Sequence, residues 1–417
     1  MQRLEYQDMG KTMDKKSILV NIIIGLLFVT LCACANASPM EDECIESFNS
    51  FAYSPTEELD EDIEWIPPLA PWRVISEIPN NPIDDRAIRT KIEITRSTHG
   101  KREIWIRRYT LRKLFEPGSD VHEYAVFSPE NEEWKVISAQ VGDTGIWVDQ
   151  LFITSDGTIW GRNTWKSDNE YPFNHIPVLS RFNEKTERFE FEQNSIRYEF
   201  AQNINQFFDW QIVLLGKDDT FWIFIQEDGL YTFDPHSLKV EFQVEIPDFV
   251  VDSAVISPDA TIYFRKHPYE YSMQQGELFS FSPNTKEINM LEIPLETWPQ
   301  YSDLFIDKEG RLWLDTIGFR EQNGRWHLLY PDVDLYLRNI SQVEGYRWIT
   351  PHVVMQSTDG ILWLAKYAIS DNGTAWYDPK TGEGCMFTNY DSEIVEDSKH
   401  TLWLIAENKL YNYELYP

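Results

Sequence analysis

The sequence predicts an all-β protein, a seven-bladed β-propeller closed by a strand from its N-terminal side. Three features point there: a turn running into an aromatic strand copied seven times, a companion strand ending near Pro, and a last copy one strand short. Self-similarity at a spacing of ~40 to 60 residues marks one supersecondary unit repeated around an array.

The turn segments include Ser155-Asp156-Gly157-Thr158-Ile159-Trp160, Lys308-Glu309-Gly310-Arg311-Leu312-Trp313 and Thr358-Asp359-Gly360-Ile361-Leu362-Trp363; the others end on Trp105, Trp222, Tyr263 and Trp403. An apolar strand precedes each turn, as in Leu151-Phe152-Ile153 and Leu304-Phe305-Ile306. Gly or Asp in the turn supplies the dihedrals that a tight reversal needs.

Third strands read Tyr124 to Pro129, Leu230 to Pro235 and Leu278 to Pro283, with alternating residue types and a Pro that starts the next turn. The fifth copy departs, with Asn323-Gly324 as a hairpin signal before Arg325-Trp326-His327. The last copy reaches Pro417 after three strands, and Trp72-Arg73-Val74-Ile75-Ser76 matches Trp134-Lys135-Val136-Ile137-Ser138, the fourth strand of the first copy. An open blade leaves an unpaired edge, so the early strand is expected to close the ring over residues 72–417.

Asp-Gly-x-Leu-Trp followed by Gly-Leu-x-x-Phe-Asp-Pro resembles the two-component-regulator propeller repeat, over roughly residues 72–417. The resemblance implies an extracytoplasmic propeller, in the form of a free-standing bacterial lipoprotein without kinase, phosphorelay or DNA-binding parts. A sensory or accessory role follows from the resemblance alone.

The formal charge is −31, which repels nucleic-acid phosphates and anionic headgroups, so no nucleic acid is expected as a partner. Lys15-Lys16 precede an apolar run over residues 18–35, the layout of a secretory signal over residues 1–33, with Met13 as an alternative start. Leu31-Cys32-Ala33-Cys34 resembles a lipobox, which implies cleavage before Cys34 and its lipidation. Ala35-Asn36-Ala37 also fits ordinary signal peptidase and a secreted protein, and the run is nearly long enough for a single membrane helix. Residues 34–71, with Glu57, Glu58, Asp60, Glu61 and several prolines, read as an acidic extended tether. Cys44 and Cys385 pair or stay as two thiols, and both readings stand.

Connections at residues 107–122, 162–177, 194–208, 265–276 and 331–351 are long and are expected on the binding face. Trp165, Tyr171, His175, His267, Tyr269 and His352 are the candidate ligand-binding residues there, against the alternative that they pack on neighbouring blades. No zinc spacing, Walker loop, Gly-x-Ser-x-Gly or calcium loop occurs, so no metal or cofactor is expected. Streptogramin lyase is a seven-bladed propeller enzyme, but its His-x-Glu motif has no match here. The favoured function is a lipid-anchored binding module for a protein, peptide or carbohydrate. The alternative is a secreted lyase or glycoside hydrolase with a site at the central channel.

Overall fold

The computed structural model describes residues 73–79, 88–98, 101–110, 122–142, 146–165, 175–191, 197–199, 211–225, 228–246, 249–268, 277–294, 303–315, 318–329, 352–366, 373–388, 393–406 and 409–415. Among them there is no helix, and the strands form seven four-stranded antiparallel sheets and one small two-stranded one. The chain is a seven-bladed β-propeller.

Blade 1 runs Ile88–Thr98, Lys101–Thr110, His122–Ser128 and Glu133–Ser138 from axis to rim, and blade 2 runs Ile146–Ile153, Ile159–Trp165, Leu179–Asn183 and Arg188–Phe191. Blade 3 is Gln211–Leu215, Phe221–Ile225, Gly229–Asp234 and Lys239–Glu245; blade 4 is Phe249–Ile256, Ile262–Pro268, Glu277–Ser282 and Glu287–Leu291. Blade 5 is Leu304–Ile306, Leu312–Leu314, Gly318–Arg320 and Trp326–Leu328; blade 6 is His352–Gln356, Leu362–Lys366, Gly373–Tyr377 and Gly384–Thr388. Blade 7 has three strands from the C-terminal side, Glu393–Glu396, Thr401–Ala406 and Lys409–Glu414, and takes Arg73–Glu77 as its outer strand. Arg73 stands opposite Asn412 and Glu77 opposite Lys409, so the expected closure is present. The inner strands of blades 7 and 1 lie side by side, as do those of blades 1 and 2, which completes the circle.

The repeated turn has a single construction in blades 2 to 7. The N–H of its first residue bonds the carbonyl four residues on, as from Ser257 to Thr261 at 2.8 Å and from Asp397 to Thr401 at 2.9 Å. The fourth residue has a positive φ: Gly157, Gly310 and Gly360, but also Asp219 at 64°, Ala260 at 68° and His400 at 59°. The expectation of Gly or Asp thus fails at Ala260 and His400, where the bonded frame of the turn imposes the conformation on residues that disfavour it.

The aromatic after the turn repeats because it packs on a second repeated aromatic, in the third strand of the next blade. Trp105 meets Phe182 edge-on at 5.1 Å, Trp160 meets Phe233 at 5.5 Å, and Trp222 meets Phe281 at 6.0 Å. Trp313 meets Tyr377 at 6.4 Å, and Trp403 meets Phe127 at 6.0 Å across the closure. Edge-on pairs of this kind are favourable beyond the area that they bury. The core is therefore divided among seams between blades.

Turns also tie blade to blade. The second residue of the blade 2 turn, Ser155, donates its N–H to Asp219 Oδ1 of blade 3 at 2.8 Å. In the same way Lys308 donates to Gln356 Oε1 at 2.6 Å, and Thr358 to Glu396 Oε2 at 2.7 Å.

Candidate functional site

Opposite the turns, the inner strands of blades 2 and 4 each hold an extra residue in their pairing. One lies between Val148 and Gln150, the other between Val251 and Ser253, so the bulged residues are Asp149 and Asp252. A bulge re-aims a side chain. Each carboxylate here meets the arginine two places after the repeat aromatic. Arg162 Nε and Nη2 bond Asp149 at 2.9 and 2.5 Å; Arg265 Nε bonds Asp252 at 2.8 Å and its Nη2 bonds the other oxygen. A planar fork on a carboxylate fixes both groups and neutralises both charges.

The two clamps end differently. The carbonyl of Asp149 accepts Arg107 Nη1 from blade 1, which fastens the clamp of blade 2 to its neighbour. Arg265 is only 2% exposed, and its buried Nη1 has no hydrogen-bond partner among the described residues. A buried donor left unmade costs about 1–3 kcal/mol.

Next to Arg265, Ser253 Oγ accepts the N–H of Leu304 in blade 5 at 3.1 Å. The adjoining Asp303 donates its N–H to Asp315 Oδ1 at 2.7 Å and accepts the Asp315 N–H at 3.0 Å. Asp315 is buried with φ at 44°, an αL conformation that non-glycine residues hold at a cost. His352 Nε2 of blade 6 is 3.9 Å from Asp303 Oδ2, and the Asp303 side chain is 53% exposed. The patch spans blades 4 to 6 and offers a guanidinium donor, carboxylate acceptors and an imidazole. Among the described residues no three His, Cys, Asp or Glu gather as a metal-holding group.

Of the candidates, His352 alone has a described side chain, and it belongs to this patch. Trp165 ends the second strand of blade 2 opposite Ile146, and His267 lies opposite Val250 in blade 4. His175 sits in a small extra pairing, His175–Pro177 against Arg197–Glu199, opposite Glu199. The expectation that the three histidines lie in loops is corrected: all three are strand residues. The second strands of blades 2 and 4 run on past the clamped arginines to Trp165 and Pro268. Tyr171, Tyr269 and Cys34 lie outside the described residues.

Asp149, Asp252, Arg162, Arg265, Asp303 and Asp315 are absent from the candidates named from the sequence. A signal for the clamps existed, since Asp and Arg are 13 residues apart in both blades. The position two after the repeat aromatic is also informative: Arg107, Arg162, Phe224, Arg265, Asp315, Ala365 and Ile405 occupy it.

No family model matches the chain, and no curated protein matches it. Among solved structures it is similar to the extracellular domain of BT4673 from B. thetaiotaomicron, assigned to a hybrid two component system. The identity is 12% over 82% of this chain and 42% of that one, with a TM-score of 0.48, so this chain spans less than half of that neighbour. It is also similar to YCF48 from Cyanidioschyzon merolae, at 10% identity over 83% of this chain and 99% of that one, TM-score 0.49. The β-propeller domain of Cps50 (Swd1) from Myceliophteria thermophila aligns at 10% identity over 79% of this chain and 100% of that one, TM-score 0.46. These likenesses are likenesses of fold.

Proposed function

We propose that the protein is a non-catalytic recognition module, held outside the cytoplasm by a lipid on Cys34, which binds a protein, peptide or carbohydrate at the end of the ring opposite the repeated turns. One observation carries this reading. The turn recurs in blades 2 to 7 and the aromatic pair at five seams, whereas the position two residues past the repeat aromatic varies, with charge at Arg107, Arg162, Arg265 and Asp315 and apolar residues at Phe224, Ala365 and Ile405. Scaffold positions repeat because every blade packs alike, whereas recognition needs positions that differ. The net charge of −31 favours neutral or basic ligands over acidic ones.

Glycan and peptide arrays probed with the full chain test it, followed by mass spectrometry of each bound ligand after prolonged incubation. Binding with every ligand recovered intact is the expected result. Cleaved or eliminated product would establish the second reading, a lyase or hydrolase, for which the pairing of Asp303 with His352 is the supporting geometry. For the anchor, fatty-acid labelling is expected in the wild type and lost in Cys34→Ser; labelling that survives overturns it.

A further inference from the structure

The seam between blades 4 and 5 lacks both the aromatic pair and the turn tie that recur around the ring, and is joined instead by polar contacts such as Trp326 Nε1 donating to the Glu292 carbonyl at 2.9 Å. Where the third strand of a neighbouring blade presents Phe182, Phe233, Phe281, Tyr377 or Phe127 to the repeat aromatic, blade 5 presents Arg320. Arg320 stands opposite Leu312, as Phe281 stands opposite Ile262 and Phe233 opposite Phe221. The repeat aromatic of blade 4 is Tyr263, which hydrogen-bonds Arg320 across the seam in place of a ring contact; burial pushes the Tyr263 phenol up while the charge and hydrogen bond of Arg320 oppose the rise.

The turn tie is missing there as well. Its donor would be the N–H of residue 258, which is Pro258, and its acceptor side chain would stand at Ile306 or Gly310. The equivalents in tied seams are Lys308 donating to Gln356, Thr358 donating to Glu396 and Ser155 donating to Asp219. The fully buried members of this seam's apolar cluster are the aliphatic Leu278, Leu304, Leu312 and Leu314, with Tyr263 and Trp326 only partly buried against them. The seam between blades 3 and 4 also lacks acceptors, with Ile256 and Ala260 in place, but Trp222, Phe224, Phe264 and Phe281 fill it.

The orphaned Arg265 Nη1 lies in blade 4, where Ser253 opposite it bonds blade 5. We propose that the seam between blades 4 and 5 is where the ring opens, and that opening presents Arg265 Nη1 to a neutral oxygen of the ligand, whose binding closes the seam. A neutral oxygen fits better than an anion. Asp252 already matches the charge of Arg265, and Asp303 beside the seam adds a half-exposed carboxylate. A carbonyl or hydroxyl oxygen completes the guanidinium without adding a buried negative charge. This rests on the recognition reading for its ligand, but the opening itself is a property of the free ring.

Amide hydrogen exchange of the full chain tests the opening without any ligand. The segments facing this seam, 253–265 and 304–314, are expected to exchange faster than the matching segments of the seams between blades 5 and 6 and between blades 6 and 7. Equal or slower exchange overturns the opening, whatever the arrays show. The double variant Pro258→Ser, Ile306→Gln supplies the donor and an acceptor at the place of Gln356, and is expected to slow exchange at this seam severalfold. If it folds with wild-type circular dichroism and exchange stays fast, the missing tie is not the cause and the proposal fails. N-methylacetamide, a neutral carbonyl probe, is expected to slow the same segments, and acetate at equal concentration is not. Equal effects of both, or none from either, overturn Arg265 as the donor for a neutral oxygen.

Discussion

Asp397 Oδ2 accepts the indole N–H of Trp403 at 2.9 Å, so the first residue of the closing turn anchors the aromatic of the strand that follows it. The same oxygen accepts Arg102 Nη1 of blade 1 at 3.0 Å, while Oδ1 accepts the N–H groups of Lys399 and Thr401 at 2.8 and 3.1 Å. One buried carboxylate thereby holds the turn, the aromatic and the joint between the last blade and the first. Asp397→Ala leaves a guanidinium and an indole without it, and a loss of about 3 kcal/mol is expected in chemical denaturation. Ser357 stands at the same place in blade 6 and accepts the Trp363 indole at 3.1 Å. Ser357→Ala is expected to cost only about 1 kcal/mol, because no charge is abandoned. Equal losses for the two variants would mean that the tie from blade 7 to blade 1 contributes nothing.

Ala260 is exposed and holds φ at 68° in a turn where blades 2, 5 and 6 use glycine. A non-glycine αL residue costs about 1–2 kcal/mol, and replacing it by glycine returns about 0.4–1 kcal/mol of unfolded-chain entropy. Ala260→Gly is therefore expected to stabilise the protein by about 0.5–1 kcal/mol. The reverse change at Gly310 is expected to destabilise, since its φ of 76° strains any L side chain and a Cβ would also push the Gln322 amide off the Glu309 carbonyl. Thermal melts of the two variants moving in the same direction would contradict this reading of the turn.

The blades were legible in the sequence because the two halves of each seam, Trp160 and Phe233 or Trp313 and Tyr377, are both large aromatics at fixed places beside turns. Closure was legible for a like reason: Arg73-Val74-Ile75-Ser76 keeps the pattern of an outer strand although it lies at the far end of the chain. The candidate site was read only in part. His352 was named because histidine carries chemistry, but Asp303 gains its meaning only from pairing with Asp315 and from the blade beside it. Asp149 and Asp252 are two more acids in an acidic chain until a bulge turns each toward an arginine. Register and bulges are decided by packing of whole strands, and no single residue type announces them.

Gly161 shows how tightly blade 2 is built around its clamp. It stands between Leu151 and Ser180 in the sheet, and a Cβ there would lie 2.4 Å from Val148 Cγ1. Val148 is fully buried in the seam with blade 1, so it has nowhere to go. Gly161→Ala is expected to destabilise by about 1–3 kcal/mol through overpacking. Val148→Ala on its own opens a cavity, yet it removes the obstructing methyls, so the double variant should be less destabilised than the sum of the singles. Strict additivity in urea denaturation would rule the contact out.

Acid should loosen the turns before it reaches the aromatic seams. Hydrogen bonding from the Thr154 hydroxyl holds the Asp156 carboxyl below its ordinary 3.8, and Ser257 does the same for Asp259. A carboxyl depressed in the folded state binds its proton more readily once the chain unfolds. Its stabilisation is therefore fully present above 3.8 and is lost as pH falls through the lower folded value. Denaturation midpoints are expected to be insensitive to these two groups near neutral pH and to fall below about pH 4. Asp156→Asn with Asp259→Asn keeps an acceptor oxygen at each place but removes the titration. The double variant should start from a lower plateau at neutral pH and decline less steeply in acid than the wild type. Parallel acid limbs for the two proteins would show that the turns take no part in acid unfolding.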